Sequence, residues 1–350
     1  MKRPSVRIVG AGLIGTSIAL KLKELGNRVE VVDSDPSRER VARDLIGGGV
    51  EGFEPQIVVV ATPPVSTLAA LQREFSLNPR STFIDVSSVK TNLQREVDGF
   101  PELKKVFVST HPIAGRELAG PQGAQSDLFE GRAWIIVEGG ATADRVASVE
   151  GFIVDLGATP YRISAAEHDR LFARISHLPQ LLSTALALSL DDLGQERSLA
   201  GSGLRDMIRL AGSDGRLWKE IVSENREEVL AAMARFSREF DRLRVAIEES
   251  NDLGFIQLFQ DAKLERTKLS GKHGAKARDY AFVDVVIDDR PGQLAAIFKE
   301  CGEISVNVED LTLEHSPRQE TGLIRLALSD LDATKLQRHL TQLGWRAHRK

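Results

Sequence analysis

The chain has 350 residues, 42% of them hydrophobic, more than one ordinary core accommodates, so two or three domains are expected. Lysine and arginine total 46 against 50 acidic residues, a formal net charge of -4, which offers no field for nucleic acid or an anionic membrane and leaves small molecules as the expected partners. The single cysteine, Cys301, excludes an internal disulfide, no Cys/His cluster has metal-ligand spacing, and no run approaches the roughly 20 apolar residues of a bilayer span, so a cytoplasmic, metal-free protein is expected.

From residue 5 to about 162, short Val/Ile-rich runs alternate with helical periodicity. The runs are 6–9, 29–32, 57–61, 83–86, 106–109 and 134–137. Their near-continuous apolar character marks strands buried on both faces, since a half-exposed antiparallel strand would alternate. Residues 1–163 are therefore expected to form an α/β domain around a Rossmann-type, doubly wound parallel sheet.

Gly10, Gly12 and Gly15, with Leu13 and Ile14 between the last two, form a GxGxxG run that follows the first strand and opens a helix. Gly10 permits the tight turn, Gly12 lets backbone approach a pyrophosphate, and Gly15 allows close helix-to-strand packing. The second strand ends at Asp33, whose carboxylate suits the adenosine ribose hydroxyls and repels a 2′-phosphate. NAD is the expected cofactor. Thr62 and Pro63 end the third strand at the same carboxyl edge of the sheet, where they are expected to line it.

Two further strand ends carry polar residues into that crevice, Asp85-Val86-Ser87-Ser88-Val89-Lys90 and Ser109-Thr110-His111-Pro112-Ile113-Ala114-Gly115. Histidine, with an unperturbed pKa near 6.5, is largely neutral at physiological pH and suits a general base.

Residues 164–270 show apolar positions three and four apart and read as an all-helical domain. The stretch 178–190 is almost wholly apolar, so its helix is expected to be buried over most of its circumference, with a homodimer interface as the natural cover. Residues 271–279 are polar, basic and glycine-containing and read as a linker. Residues 280–350 show strand (281–287), helix (292–302), two strands (306–313 and 323–328), helix (333–343) and a short strand, the order of a ferredoxin-like βαββαβ domain.

The glycine loop, SSVK, HPIAG, Ser176-His177-Leu178-Pro179 and the segment from Gly201 through Arg209 to Trp218 together resemble the prephenate and arogenate dehydrogenases over residues 5 to about 265. The resemblance implies oxidation of a ring carbinol by hydride transfer to NAD with loss of the ring carboxylate, in tyrosine biosynthesis. It implies His111 as the base and Ser88 as a second hydrogen-bonding partner of the substrate hydroxyl. It also implies Arg209 and His177 as contacts to the anionic substrate, with Arg205 on the same helix face as Arg209. His168 and Asp169 fit the family pattern but read as helix-start residues of structural value. Arg116 departs from the threonine often found after HPIAG; the extra cation favours prephenate, giving 4-hydroxyphenylpyruvate, with arogenate, giving tyrosine directly, as the alternative. The segment Asp288-Asp289-Arg290-Pro291-Gly292-Gln293-Leu294 resembles an ACT domain, which implies an amino-acid ligand, tyrosine first, held by Asp289, Gly292, Gln293, Leu294 and, on the second strand, Asn307. The competing readings are a β-hydroxyacid-type dehydrogenase, against which HPIAG and SHLP argue, and an NAD-sensing regulator without turnover.

Overall fold

The computed structural model describes residues 3–48, 52–115, 120–268, 280–288, 290–315 and 321–349. The chain divides into two compact units, Met1–Asp261 and Ala262–Lys350.

In the first unit, strands β1 (Val6–Val9), β2 (Val29–Val32), β3 (Ile57–Val60), β4 (Thr82–Asp85) and β5 (Phe107–Val108) alternate with helices α1 (Leu13–Glu24), α2 (Pro36–Leu45), α3 (Pro64–Leu77), α4 (Thr91–Asp98) and α5 (Pro101–Val106). The strands pair in parallel in the order β2-β1-β3-β4-β5. The all-apolar run Ile57–Val60 is buried throughout, as a central strand covered on both faces requires. Chain order reverses between β1 and β3, and that switch point opens the crevice in which open α/β sheets bind ligands.

The expectation of one doubly wound sheet needs correction. The run near 134–137 belongs to a second, three-stranded sheet of order β6-β7-β8, made of β6 (Thr110–Pro112), β7 (Ala133–Val137) and β8 (Thr159–Ile163), the last lying beside α6 (Ala143–Asp155). β6 and β7 are antiparallel and β7 and β8 parallel. The chain passes from β5 in one sheet to β6 in the other across the single residue Ser109, so His111 sits two residues past the crossing.

The helical part begins with α7 (Ala165–Phe172), whose N-terminus is closed by a capping box between Ser164 and Glu167. A π-helical segment, Ala173–His177, leads into α8 (Leu178–Leu188), and the chain continues through α9 (Ser202–Ile208), α10 (Gly215–Glu224), α11 (Arg226–Glu248) and α12 (Asp252–Thr267). Within the single chain α8 fully buries only Gln180 and Ser183, and Leu188 is exposed, so the expectation of burial over most of its circumference is not met here. No described helix is long and apolar enough to cross a membrane.

The second unit contains β9 (Ala281–Asp288), α13 (Gln293–Glu303), β10 (Asp310–His315), β11 (Thr321–Leu328), α14 (Asp330–Gln342) and β12 (Arg346–Arg349). The sheet is antiparallel, in the order β10-β11-β9-β12. Val283, Val285, Ile287, Ile324, Leu326 and Leu328 from its strands meet Ile297, Cys301, Leu336 and Leu340 from its helices in a core of its own. The second strand starts at Asp310, so Asn307 lies on the approach to it and not, as expected, upon it. The stretch read as a linker, 271–279, lies outside the described residues.

Candidate active site

The carboxyl ends of β1 and β3 meet the start of α1 at the switch point. Gly10 has φ of 112°, and a Cβ there would lie 2.3 Å from the Ala61 carbonyl oxygen. At Gly15 a Cβ would lie 2.1 Å from the Gly10 oxygen, whereas at Gly12 it would meet nothing within 4 Å. The glycines thus divide into two that the fold itself needs and one that keeps space open. No side chain caps the N-terminus of α1, so the first amides, of Leu13 and Ile14, face that space. Asp33 braces the loop: the Ala11 amide donates to Oδ2 at 2.6 Å and the Asp35 amide to Oδ1 at 2.8 Å. Thr62 and Pro63 follow β3 after Ala61, with the Thr62 amide against Gly10 and Pro63 at the N-cap of α3. An open glycine step before an uncapped helix fits a dinucleotide pyrophosphate.

On the far side of β3, the end of β4 holds a buried ion pair. Lys90 Nζ donates to Asp85 Oδ2 at 2.5 Å, to the Thr110 carbonyl at 2.6 Å and to Ser87 Oγ at 3.1 Å, three acceptors for three ammonium protons. Burial pushes Lys90 below the usual lysine range, and the Asp85 charge opposes the fall. Asp85 Oδ1 also accepts from Ser109 Oγ at 3.0 Å and from the Thr110 amide at 2.9 Å. Asp85 and Lys90 therefore hold both sides of the sheet crossing and set where the backbone presents His111.

The His111 ring meets two residues of α7, His168 and Phe172. Its Nδ1 lies 2.8 Å from Nε2 of His168, and His168 Nδ1 lies 2.8 Å from Asp169 Oδ1. Phe172 stacks on His168 at 4.4 Å and tilts against His111 at 4.9 Å, fixing both ring planes. Burial holds His111 well below the usual histidine value, helped by the charges of His168, Lys90 and His177. Burial also lowers His168, with Asp169 opposing. Burial alone would raise the Asp169 carboxyl, but donors from His168, Thr91 and Lys90 outweigh it and hold the group below the usual carboxylate range. His177 is buried at the end of the π-helical segment; its Nδ1 lies 3.2 Å from Asn225 Nδ2, which also donates to the Asp169 carbonyl at 2.8 Å. Burial lowers His177 to about 4.

Ser88 is half-buried on the loop from β4 to α4, between Ser87 and the ion-paired Lys90. Arg205 is exposed on α9, and Arg209 is exposed one residue beyond that helix in a 3-10 turn, Arg209–Gly212, so the two do not share one continuous α-helix. Gln180 tethers that turn from α8: its Nε2 donates to the Leu210 carbonyl at 2.7 Å, and Ser213 Oγ donates to its Oε1 at 3.2 Å. The sequence reading gave Gln180 no role. Trp218 packs edge-on against His177 at 6.0 Å. Arg116 lies outside the described residues.

In the second unit, Gly292 has φ of 91° and starts α13, with Gln293 and Leu294 in its first turn. Asn307 is exposed and its Nδ2 donates to Glu309 Oε1 at 2.9 Å, and Asp289 lies outside the described residues.

Sequence reasoning missed Asp85, Lys90 and Asn225 as parts of this site and set His168 and Asp169 aside as structural. Asp85 lies two residues before the SSVK run and Lys90 closes it, and that polarity at a buried strand end was the available signal. Asn225, between two helices, left none.

The nucleotide-binding domain of prephenate dehydrogenase matches residues 18–161, and the prephenate dehydrogenase dimerization domain matches residues 164–261. The chain belongs to the prephenate dehydrogenase family. Within that family, a Streptomyces niveus protein described as a probable prephenate dehydrogenase is 29% identical, over 97% of this chain and 98% of its own length. The Bacillus subtilis prephenate dehydrogenase is 25% identical over 95% of this chain and 94% of its own. Among solved structures, Aquifex aeolicus prephenate dehydrogenase in complex with hydroxyphenyl propionate and NAD+ is 26% identical, with a TM-score of 0.69 over 77% of this chain and 99% of that one. Synechocystis arogenate dehydrogenase is also 26% identical, with a TM-score of 0.65 over 75% of this chain and 99% of that one.

Proposed function

We propose that the protein is an NAD-dependent prephenate dehydrogenase that converts prephenate to 4-hydroxyphenylpyruvate, the step that commits the carbon skeleton to tyrosine. The observation that carries the reading is His111, delivered by a sheet crossing to the carboxyl edge that also holds the open Gly12 step. Bound at that step, NAD supplies the acceptor for the ring hydride.

The chain's own residues handle the rest. His111, neutral in its buried setting, takes the proton of the ring hydroxyl as the carbon loses hydride. Ser88 hydrogen-bonds the same hydroxyl and orients it, which matters because hydride transfer tolerates little misplacement. Arg209 pairs with a substrate carboxylate, the ring one in our reading, with His177 and Arg205 completing the pocket for the anionic substrate, and the extra cation Arg116 in the sequence is the ground for preferring prephenate. The ketone so formed is conjugated to the carbon bearing the carboxylate. The electron pair of the breaking C–C bond flows into that ketone as carbon dioxide leaves, and the ring becomes a phenol.

Arogenate is the second reading, favoured by the fold shared with the Synechocystis arogenate dehydrogenase. A homodimer is proposed from the dimerization-domain match, and a cytoplasmic location from the single, buried cysteine. The second unit is read as an ACT-type regulatory module that binds tyrosine, on the element order βαββαβ and the positive φ of Gly292, which keeps side-chain bulk away from the first turn of α13.

The test follows NAD reduction with prephenate and arogenate in parallel, then with NADP and added tyrosine. Turnover of prephenate is expected, with kcat lowered about 10²- to 10⁴-fold in His111→Ala while NAD affinity is kept. NAD binding without turnover of either acid sinks the assignment and leaves the sensor reading.

A further inference from the structure

Beyond the groups that meet the substrate, His168 and Asp169 determine what His111 can do. Asp169 takes three hydrogen bonds on its carboxylate: from the Lys90 amide at 2.9 Å and His168 Nδ1 at 2.8 Å on Oδ1, and from the Thr91 amide at 2.8 Å on Oδ2. An ionised carboxylate only accepts, so the His168 proton is on Nδ1. His168 is wholly buried and neutral, which leaves its Nε2 bare. The 2.8 Å contact between His168 Nε2 and His111 Nδ1 needs one proton, and His111 must supply it. Nε2 of His111, which hydrogen-bonds no other described residue, is then the unprotonated nitrogen.

We propose that Asp169 and His168 are positioning residues that hold His111 in its Nδ1–H tautomer, so that Nε2 is the atom that accepts the substrate hydroxyl proton. Histidine free in water favours the opposite tautomer, which would offer the hydroxyl a donor where an acceptor is needed. The logic is that of the serine protease triad, in which a carboxylate orients an imidazole, lengthened here by a second ring. Lys90 and His177 are the other titratable groups that act on His111, and both oppose its protonation, so the chain of hydrogen bonds to Asp169 is what accommodates the imidazolium. Phe172 keeps the two rings in register.

The proposal rests on the dehydrogenase reading only for its kinetic arm. The 350-residue chain carries seven histidines, and nitrogen-15 imidazole spectra at neutral pH distinguish protonated from bare ring nitrogens, with His111 assigned by the signals lost in His111→Gln. Nδ1–H with bare Nε2 is expected for His111. In Asp169→Asn the carboxamide oxygen takes a backbone donor and its N–H faces His168, so both rings should switch tautomer, with kcat falling about 10²-fold or more and NAD affinity unchanged. In His168→Phe, which keeps the ring packing, His111 should revert to Nε2–H and the pH profile of kcat should move. A purely structural role would lower thermal stability and leave tautomer and profile alone. A proton on His111 Nε2 in the unmodified protein, or a folded His168→Phe with unaltered kcat and pH profile, overturns the proposal. The spectrum needs no substrate, so failure to turn over either acid would count against the function and not against the relay.

Discussion

Three histidines, His111, His168 and His177, are packed together in their neutral forms, and that has a consequence for acid stability. The unfolded chain binds a proton on each near pH 6.5, whereas folded His177 binds one only near pH 4. Between those values the unfolded state holds more protons, so stability is complete above about pH 6.5 and is lost as pH falls through the window. His177 alone should remove about 2 kcal/mol by pH 5, with His111 and His168 adding in the same direction. Thermal unfolding from pH 7.5 to 5 should show a falling midpoint, and His177→Gln should flatten the fall; a midpoint that stays level would mean the histidines are not held neutral. At this scale the sequence exposed Gly10, Asp33 and His111 through local motifs. It hid the partnership of His111 with His168, which lie 57 positions apart and meet only because α7 packs against the sheet crossing. Read alone, His168 and Asp169 sit at a helix start where Glu167 and Asp169 look like ordinary complements to the dipole.

The first βα element separates the needs of folding from those of binding. Gly15→Ala would drive a Cβ into backbone at 2.1 Å and should cost about 1–3 kcal/mol of stability. Gly12→Ala, at φ of -80° with nothing within 4 Å, should leave the melting temperature near that of the original chain, yet weaken NAD binding by about tenfold or more because a methyl occupies the pyrophosphate approach. Calorimetric titration of NAD into both variants checks this, and a Gly12→Ala protein that binds NAD unimpaired would show that the pyrophosphate lies elsewhere. The parallel strands were legible because burial on both faces writes continuous apolar runs. The second sheet was not: β6 is Thr110–Pro112, too short for any period, and β8 is exposed along much of its length and contains Pro160. Asn307 was misplaced for a related reason. The apolar pattern from Val306 onward continues into β10, but the ladder begins only at Asp310.

At the scale of the molecule, α11 and α12 carry an apolar surface that the single chain leaves uncovered. Phe240, Leu243, Ile247, Phe255 and Phe259 line one recess of about 400 Å³, and Phe240, Ile247 and Phe259 are 58%, 66% and 61% exposed. Patches of this kind on an isolated domain mark an interface, and they lie within the stretch that matches a dimerization domain. The proposed dimer would account for the half-buried state of α8 in the same way: the sequence registered an apolar helix, and a second copy would supply part of its cover. Light scattering should therefore give twice the 38.4 kDa chain mass at micromolar concentration. Phe240→Asp combined with Phe259→Asp places two charges where the recess would be closed, which costs several kcal/mol if those charges are desolvated, and should yield a monomer with a lower melting temperature. Because Met207, two residues before Arg209, is 66% exposed in the single chain, a contact that also covers α9 would order the turn proposed to bind substrate, and the monomer should then lose apparent affinity for prephenate while keeping that for NAD. A double variant that remains dimeric would place the interface on another face, and a monomer with unchanged KM would show that the Arg209 turn is ordered by Gln180 alone.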